Sequence, residues 1–567
     1  MCVCGIRGEA VLTEKGPMFG RSGMLFFAHF VVLSAVLAMG TGCSREHYKE
    51  EADQQVYEII DGKWRADFGE KNNYKISDVE PSPNDVAIEK YLPIPERLNL
   101  AEAVAVATAQ NRDYQTEKEN LYLRGLGLTG ERHKYARQWF GVIDGRFFKD
   151  GDDEDVVVES EFGFDHTHLL GEGILFTTGV AIDWVRFLTG DPRTTLASVL
   201  SSTLEIPLLG AGAGRVAREE LTQAERDVLY EIRTFNRFRK TFVVGIISEY
   251  YRVLQRLDEV TNARNNYRRR AEAKERLEAE AEAGRRNRFE VDQAEQNMLT
   301  AKDGFVQAQE RYERSLDLFK IRLAQPTDVE MELDPNELVG LKDVGISEPN
   351  YAADEAIETA LLKRLDLANS ADFVDDSARK MMLAADGLGA QINLTAGANV
   401  ESKEKTDFLN LQFDDGLYDI GIEADLPFDR LDERNAYRVA MIVLTRQQRQ
   451  YEQDMDEVKL EVREAYRKLV ETAERYRIQQ NSLELARWRV ASTSLLIEAG
   501  RAQTRDLLES QDALLESEND LTAALVEHTI AQLNFFSDVG ILQVRPDGMW
   551  EVESREFSKV ETISDGG

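Results

Sequence analysis

Beyond residue 43 the chain holds no cysteine; Cys2, Cys4 and Cys43 are the only three. Its bulk can form neither a disulfide nor a thiolate metal site. Proline is scarce, 12 in 567 residues, and long stretches pass without a turn signal, which favours long elements over many small domains. Positive charge is also short: 69 Lys and Arg against 103 Asp and Glu leave a formal net charge of -34. A surface of that sign is repelled by phosphate backbones, which excludes nucleic acid as a partner. Among the few histidines, His166 and His168 share a face of a strand pattern but lack a third ligand, so no metal site is expected. His133 and His528 fall in helical patterns with no nucleophile nearby in sequence, and neither an enzyme nor a cofactor is expected. The glycine-rich stretch at 210–214 is not a dinucleotide fingerprint, because its third glycine position is Arg215. The acidic run at 151–155 lacks the register of a calcium loop.

Long apolar runs are absent except one, Met24 to Met39, preceded by Arg21 and followed by Gly40-Thr41-Gly42-Cys43. At about 16 residues it is short for a spanning helix, which needs ~20, and it reads as an export signal. The small residues before Cys43 resemble a lipobox, with Cys43 as the lipidated first residue of the mature chain. Gly40 stands where leucine is usual. An ordinary cleaved signal and an uncleaved anchor are the alternatives, and Met1, Met18 and Met24 are the candidate starts. Residues 44–94 then form a polar arm that either wraps the body or dangles from it.

The rest is one plan written twice. Glu102-Ala103-Val104, leading to Asp113, corresponds to Glu355-Ala356-Ile357, leading to Asp366, at an offset of 253. Glu205-Ile206-Pro207-Leu208 corresponds to Asp425-Leu426-Pro427-Phe428, and Glu282-Ala283-Gly284-Arg285 to Glu498-Ala499-Gly500-Arg501, at offsets of 220 and 216. Repeats therefore span 95–335 and 336–542, followed by a polar tail at 543–567. The falling offset gives the first copy about 33 surplus residues, expected in loops.

Each copy switches from a helical pattern to a period of two and back. Ile392, Leu394, Ala396, Ala398 and Val400 alternate with polar residues, as do Tyr418, Ile420, Ile422 and Ala424. In the first copy Val156, Val158, Phe162 and Phe164 alternate with Glu159 and Glu161, and Phe176, Val180, Ile182 and Trp184 with Asp183. Two strands per copy are expected, with Pro207 and Pro427 at the strand-to-helix junctions. After each proline comes a coiled-coil-like stretch in which Met455, Val458, Val462, Ala465 and Leu469 step by three and four. The tract from Pro427 to Gly500 would reach ~110 Å as helix. A four-stranded sheet with one apolar face suits either a soluble sheet packed on helices or a membrane wall. Four strands cannot close a barrel in lipid, where ~8 is the minimum, but three copies would supply twelve.

The signal and Cys43, the helix opening Leu100-Ala101-Glu102-Ala103-Val104, the paired strands, the prolines and the glycine turns together resemble the TolC-like outer-membrane efflux family over roughly residues 95–540. The most specific segment is Glu498 to Gln511, similar to the family's Gly-x5-Asp-Leu-Leu-x2-Gln turn. Gly284 to Glu295 matches it more loosely. The resemblance implies a mainly α fold with transmembrane β: a homotrimer with a twelve-strand barrel in outer-membrane lipid and a helical tunnel reaching into the periplasm. It implies a passive exit duct for an efflux or type I secretion-like system, contacted at the tip turns Gly284, Arg285, Gly500 and Arg501 by a periplasmic adaptor (membrane fusion protein) and served by an inner-membrane pump. It also places Asp506 and Glu509 in an acidic ring at the periplasmic entrance, with Arg501 and Arg505 as donors holding the constriction. An ordinary solvated helix face is the other reading of those two carboxylates. The rival class is a lipid-anchored coiled-coil adaptor or spacer, against which the doubled hairpin speaks.

Overall fold

A computed structural model of the protein describes residues 44–71, 73–76, 97–149, 156–187, 194–209, 213–346, 352–403, 408–426, 428–499, 501–545 and 550–552. The chain divides into two units, Met1–Val56 and Tyr57–Gly567. The first is described only from Ser44, whose Oγ accepts from the His47 N–H (3.3 Å) at the start of helix α1, Arg45–Lys63. Among the described residues no helix is long and apolar enough to cross a membrane.

The second unit runs through β1 (Arg97–Leu98), α2 (Leu100–Gln110), α3 (Arg112–Lys134), β2 (Gln138–Lys149), β3 (Val156–Leu169), β4 (Leu175–Phe187), β5 (Thr194–Leu209), α4 (Ala213–Glu282) and α5 (Arg288–Arg322). It continues through β6 (Glu332–Leu333), α6 (Asn336–Val344), α7 (Ala353–Lys363), α8 (Leu365–Asp386), β7 (Gln391–Glu401), β8 (Leu417–Asp425), α9 (Leu431–Glu498), α10 (Thr504–Val539), β9 (Leu542–Val544) and β10 (Trp550–Val552). Two helices, strands and two helices thus occur twice in order. The aligned glutamates do the same local work. Glu102 Oε2 accepts from the Asn99 N–H (3.0 Å) and Glu355 Oε2 from the Ala352 N–H (3.4 Å), so each glutamate closes the first turn of its helix. The aspartates differ in reach: Asp113 pairs with Arg322 of α5 (3.2 Å), whereas Asp366 pairs with Arg364 two positions before it (2.5 Å).

Helices α4 and α9 contain 70 and 68 residues, about 100 Å each at 1.5 Å per residue. Each folds back as a hairpin, α4 on α5 and α9 on α10, and α4 also packs against α10. The seams are thin: Val260, Ala263 and Ala308 in one, Leu483, Ala486 and Leu514 in the other. The thicker core lies where α2, α3 and α4 meet, with Tyr114, Phe235 and Phe242 in edge and tilted aromatic contact. Residues 57–76 pack onto this region. Trp64 Nε1 donates to the Gly69 carbonyl (2.7 Å), Arg239 to the Glu70 carbonyl (2.7 Å) and Lys118 to Asn73 Oδ1 (2.7 Å). Gly69 has φ +120°, and a Cβ there would press on the Arg239 guanidinium, so glycine is needed. The start of the tail joins the same region through buried Leu542 and Val544 of β9.

Six strands, where four were expected, form one antiparallel sheet in the order β2-β3-β4-β5-β7-β8. The surplus of the first copy is not loop but strand: β2 and β3, of 12 and 14 residues, make an additional hairpin. No closed barrel is found within the described chain. Two strands escaped the period-two reading for local reasons. In β5 the apolar residues Leu196, Leu200 and Leu204 are separated by Ser198 and Ser202, which leaves a helix-like spacing of four. In β2 the adjacent pairs Trp139-Phe140, Val142-Ile143 and Phe147-Phe148 hide the alternation.

Below the sheet, Asp376 of α8 is nearly buried and gathers Arg226 (2.5 Å), Arg379 (2.9 Å), the Tyr230 hydroxyl (2.8 Å) and Gln223 (3.1 Å). Burial works against its charge, but the bonds from Tyr230, Gln223 and Arg379 and the nearby Arg226 hold it below the usual carboxylate range. Such a group contributes stability above its unfolded pKa of ~3.9 and loses it as pH falls through the folded value. Asp376→Ala, which strands two guanidinium groups, is expected to cost about 3 kcal/mol or more at pH 7, a deficit that shrinks below pH ~4. Urea midpoints across pH check this; a constant deficit would refute it. Burial pushes the Lys118 amine down to about 8. The fold therefore gains stability as pH rises from ~8 to ~10.5, because only the unfolded chain still holds that proton there. Lys118→Met should flatten this rise in a thermal-melt series.

Candidate functional site

Two surfaces carry the chemistry: the ends of the helical hairpins and the polar face of the sheet. At the first hairpin Gly284 takes φ +72° and the Arg285 N–H returns to the Glu280 carbonyl (2.8 Å), closing α4 in a Schellman-like turn. The second hairpin repeats the bond, from Arg501 N–H to the Leu496 carbonyl (2.8 Å). Gly500, Pro427 and Cys43 lie outside the described residues. Pro207 is described but is not the junction expected of it. It sits inside β5, at a bulge where the register against β7 slips between Pro207 and Leu209, and α4 begins only at Ala213. A bulge tolerates a residue without an N–H.

The two acidic positions have individual partners within the chain. Asp506 Oδ2 accepts from the Gln503 N–H (2.9 Å), which caps α10. Glu509 Oε1 meets Arg489 (3.0 Å) across the hairpin, both side chains being exposed. Arg501 and Arg505 are exposed and touch no carboxylate among the described residues. What sequence reasoning missed is the bond between the two tips: Glu290 of α5 accepts from the Thr504 hydroxyl (3.2 Å) of α10 and pairs with Arg286 (3.3 Å). Further along, buried Arg270 of α4 pairs with Asp512 of α10, Asn262 with Asn519 (3.0 Å), and Thr522 with Asp258 (2.7 Å). Polar residues on two separate amphipathic helices give no sign in sequence that they face each other.

Cross-strand pairing sorts every sheet residue onto one of two faces. One face carries Trp139, Ile143 and Phe147 of β2, Phe162 and Phe164 of β3, Val180, Ile182 and Trp184 of β4, and Leu196, Leu200 and Leu204 of β5. It continues through Leu394, Ala396 and Val400 of β7 to Tyr418, Ile420 and Ile422 of β8. His166 lies on it too, 4.2 Å from the Trp139 ring and packed as an apolar residue would be. Among the described residues no helix is packed across the sheet, and Phe147, Ile420 and Ile422 are 68%, 82% and 71% exposed.

The opposite face is mainly polar and acidic, with Phe140 and Val142 of β2 standing exposed on it as well. Asp144, Glu161 and Asp183 stand directly opposite one another on three adjacent strands, and Glu159, Asp165, Glu205, Glu401, Asp419, Glu423 and Asp425 share that side with Arg146. Asp165 faces Gly179 and Asp419 faces Gly397, and a Cβ at either glycine would collide with that carboxylate. Carboxylates in register repel one another, so this face is stable only where water and counter-ions reach it.

No family model matches the sequence, and no curated protein matches it either. Solved structures do. The chain is similar to the CusC channel at 13% identity and TM-score 0.58, over 78% of this chain and 92% of that one. It is similar to the outer-membrane channel OprN at 14% and 0.56, over 78% and 89%. The open state of the Neisseria gonorrhoeae MtrE outer-membrane channel matches at 14% and 0.56, over 83% and 96%. The resemblance to TolC-like channels read from the sequence thus extends to the fold.

Asp506→Ala should lower the unfolding midpoint by the equivalent of ~1 kcal/mol, the usual net value of one hydrogen bond, here the one that closes the capping box with Gln503. Asp506→Asn, which can still accept the bond, should lose less. Glu509→Ala removes an exposed pair and should change stability by under ~1 kcal/mol. Equal losses in all three by chemical denaturation would refute the capping role.

Proposed function

We propose that the chain is one protomer of an outer-membrane exit channel: a homotrimer whose sheets line a barrel in lipid and whose hairpins form a tunnel into the periplasm. The observation that carries this is the uncovered one-sided sheet. Its apolar face spans all six strands, and among the described residues no helix is packed over it, whereas a soluble monomer rarely exposes a contiguous apolar patch larger than a few hundred Å². Lipid on that side and water on the acidic side satisfy both faces. The fold shared with OprN and MtrE supports the same reading.

In this reading the channel is a passive conduit and catalyses nothing. Two TolC-like repeats, 95–335 and 336–542, build the duct, and Cys43 carries the lipid anchor. The tip turns at Gly284, Arg285, Gly500 and Arg501 receive a periplasmic adaptor, through which an inner-membrane pump opens the tunnel. Three copies of Asp506 and Glu509 form the acidic entrance, with Arg501 and Arg505 of neighbouring copies as donors. The acidic lining of the sheet draws cations and repels anions.

Native mass of protein extracted by detergent from the outer-membrane fraction tests the reading: a trimer is expected. A monomer released without detergent would sink it in favour of a spacer or adaptor. In planar bilayers the channel should prefer cations, and the triple change Asp144→Asn, Glu161→Gln, Asp183→Asn should reduce that preference. An unchanged reversal potential in a salt gradient would take these residues out of the pore.

A further inference from the structure

We propose that β2 and β3 belong to the membrane wall, so that each chain supplies six strands, β8 of one copy pairs antiparallel with β2 of the next, and three copies close an eighteen-strand barrel. This rests on the channel reading above but not on any strand count taken from resemblance. The first ground is pairing. β3 is bonded to β4 along thirteen residue pairs from Leu169↔Leu175 to Val157↔Phe187, without a register shift. The edge of β4 is therefore occupied, and a wall of only four strands would require the β2–β3 hairpin to be peeled away. Among the described residues the free edges of the sheet are β2 and β8.

The second ground is that those two edges are complementary. Each strand runs antiparallel to its neighbours, so the first and sixth point in opposite directions, and copies placed side by side continue the antiparallel order. The faces agree as well. Trp139, Ile143 and Phe147 of β2 lie on the same side of the sheet as Tyr418, Ile420 and Ile422 of β8, so apolar meets apolar across the seam. The polarity also places Gln138, which follows α3, beside Asp425, which precedes α9, with the helices leaving the sheet at the same end. In lipid the backbone groups of both edges must be bonded. A second copy of this chain supplies the partner for each.

Barrel diameter grows roughly linearly with strand number, so eighteen strands make a bore about half as wide again as twelve, in the range that leaves an open aqueous channel. The acidic side of β2 and β3, with Asp144, Glu159 and Glu161, then lines the pore.

Paired cysteines in outer-membrane vesicles, joined by a short bismaleimide, test the seam. Ile143→Cys with Ile420→Cys is expected to give an interchain ladder that stops at the trimer. Ile182→Cys with Ile420→Cys, the pair a four-strand wall would bring together, is expected to give none. Ladders from the second pair alone would overturn the six-strand wall and leave the channel reading standing. A membrane-held multimer crosslinked by neither pair overturns it as well. A chain that is not membrane-held and forms no multimer brings down both. Ile143→Cys with Phe162→Cys, opposite each other within one chain, reports that the sheet has folded.

Discussion

A β-sheet with one apolar face and nothing laid across it cannot rest in water, and in hydrocarbon it cannot end in a free edge. Among the described residues this sheet has such an uncovered apolar face, and the channel proposed above answers both halves of the constraint. That constraint accounts for the strict alternation of β3, β4, β7 and β8 and for the placing of the sheet's acidic residues on a single side. In the proposed barrel one chain supplies only part of the wall. The long helices that leave it carry only thin seams of small and medium apolar residues, so they depend on neighbouring helices for most of their packing.

Most of the plan was legible in the sequence because its signals are periodic or repeated. The offset of 253 residues linked Glu102 to Glu355, and both close the first turn of a helix. The strands β3, β4, β7 and β8 were legible by strict alternation. The strand β5 was not, because serines at 198 and 202 interrupt its apolar side, and neither was β2, because aromatic residues occupy both of its faces in succession. The surplus in the first copy could be counted but not assigned, since a length difference does not say whether it adds loop or sheet.

The hairpin ends were legible only in part. The glycine turns follow from backbone chemistry that spacing reveals: Gly284 has the positive φ that a helix end of this kind needs. Asp506 was singled out by its match to the family's tip motif, and in the chain it caps a helix, a role open to any acidic or amide residue three places into the helix. The ties between hairpins, Thr504 to Glu290 and Arg270 to Asp512, join residues more than two hundred positions apart and have no local signature. The cluster around Asp376 was invisible for the same reason. Each of its members reads as an ordinary charge on an amphipathic helix until folding removes it from water.

The segment 57–76 is fastened at several points. Lys63 reaches Glu225, Arg239 holds the Glu70 carbonyl and Lys118 holds Asn73. Mechanically these bonds act as a strain relief. Tension arriving from the N-terminal side is taken up by α3 and by the first half of α4, well before the hairpin turn at Gly284. Force applied at Tyr57 would thus load the aromatic core around Tyr114 and Phe235 before it reached the hairpin turn at Gly284.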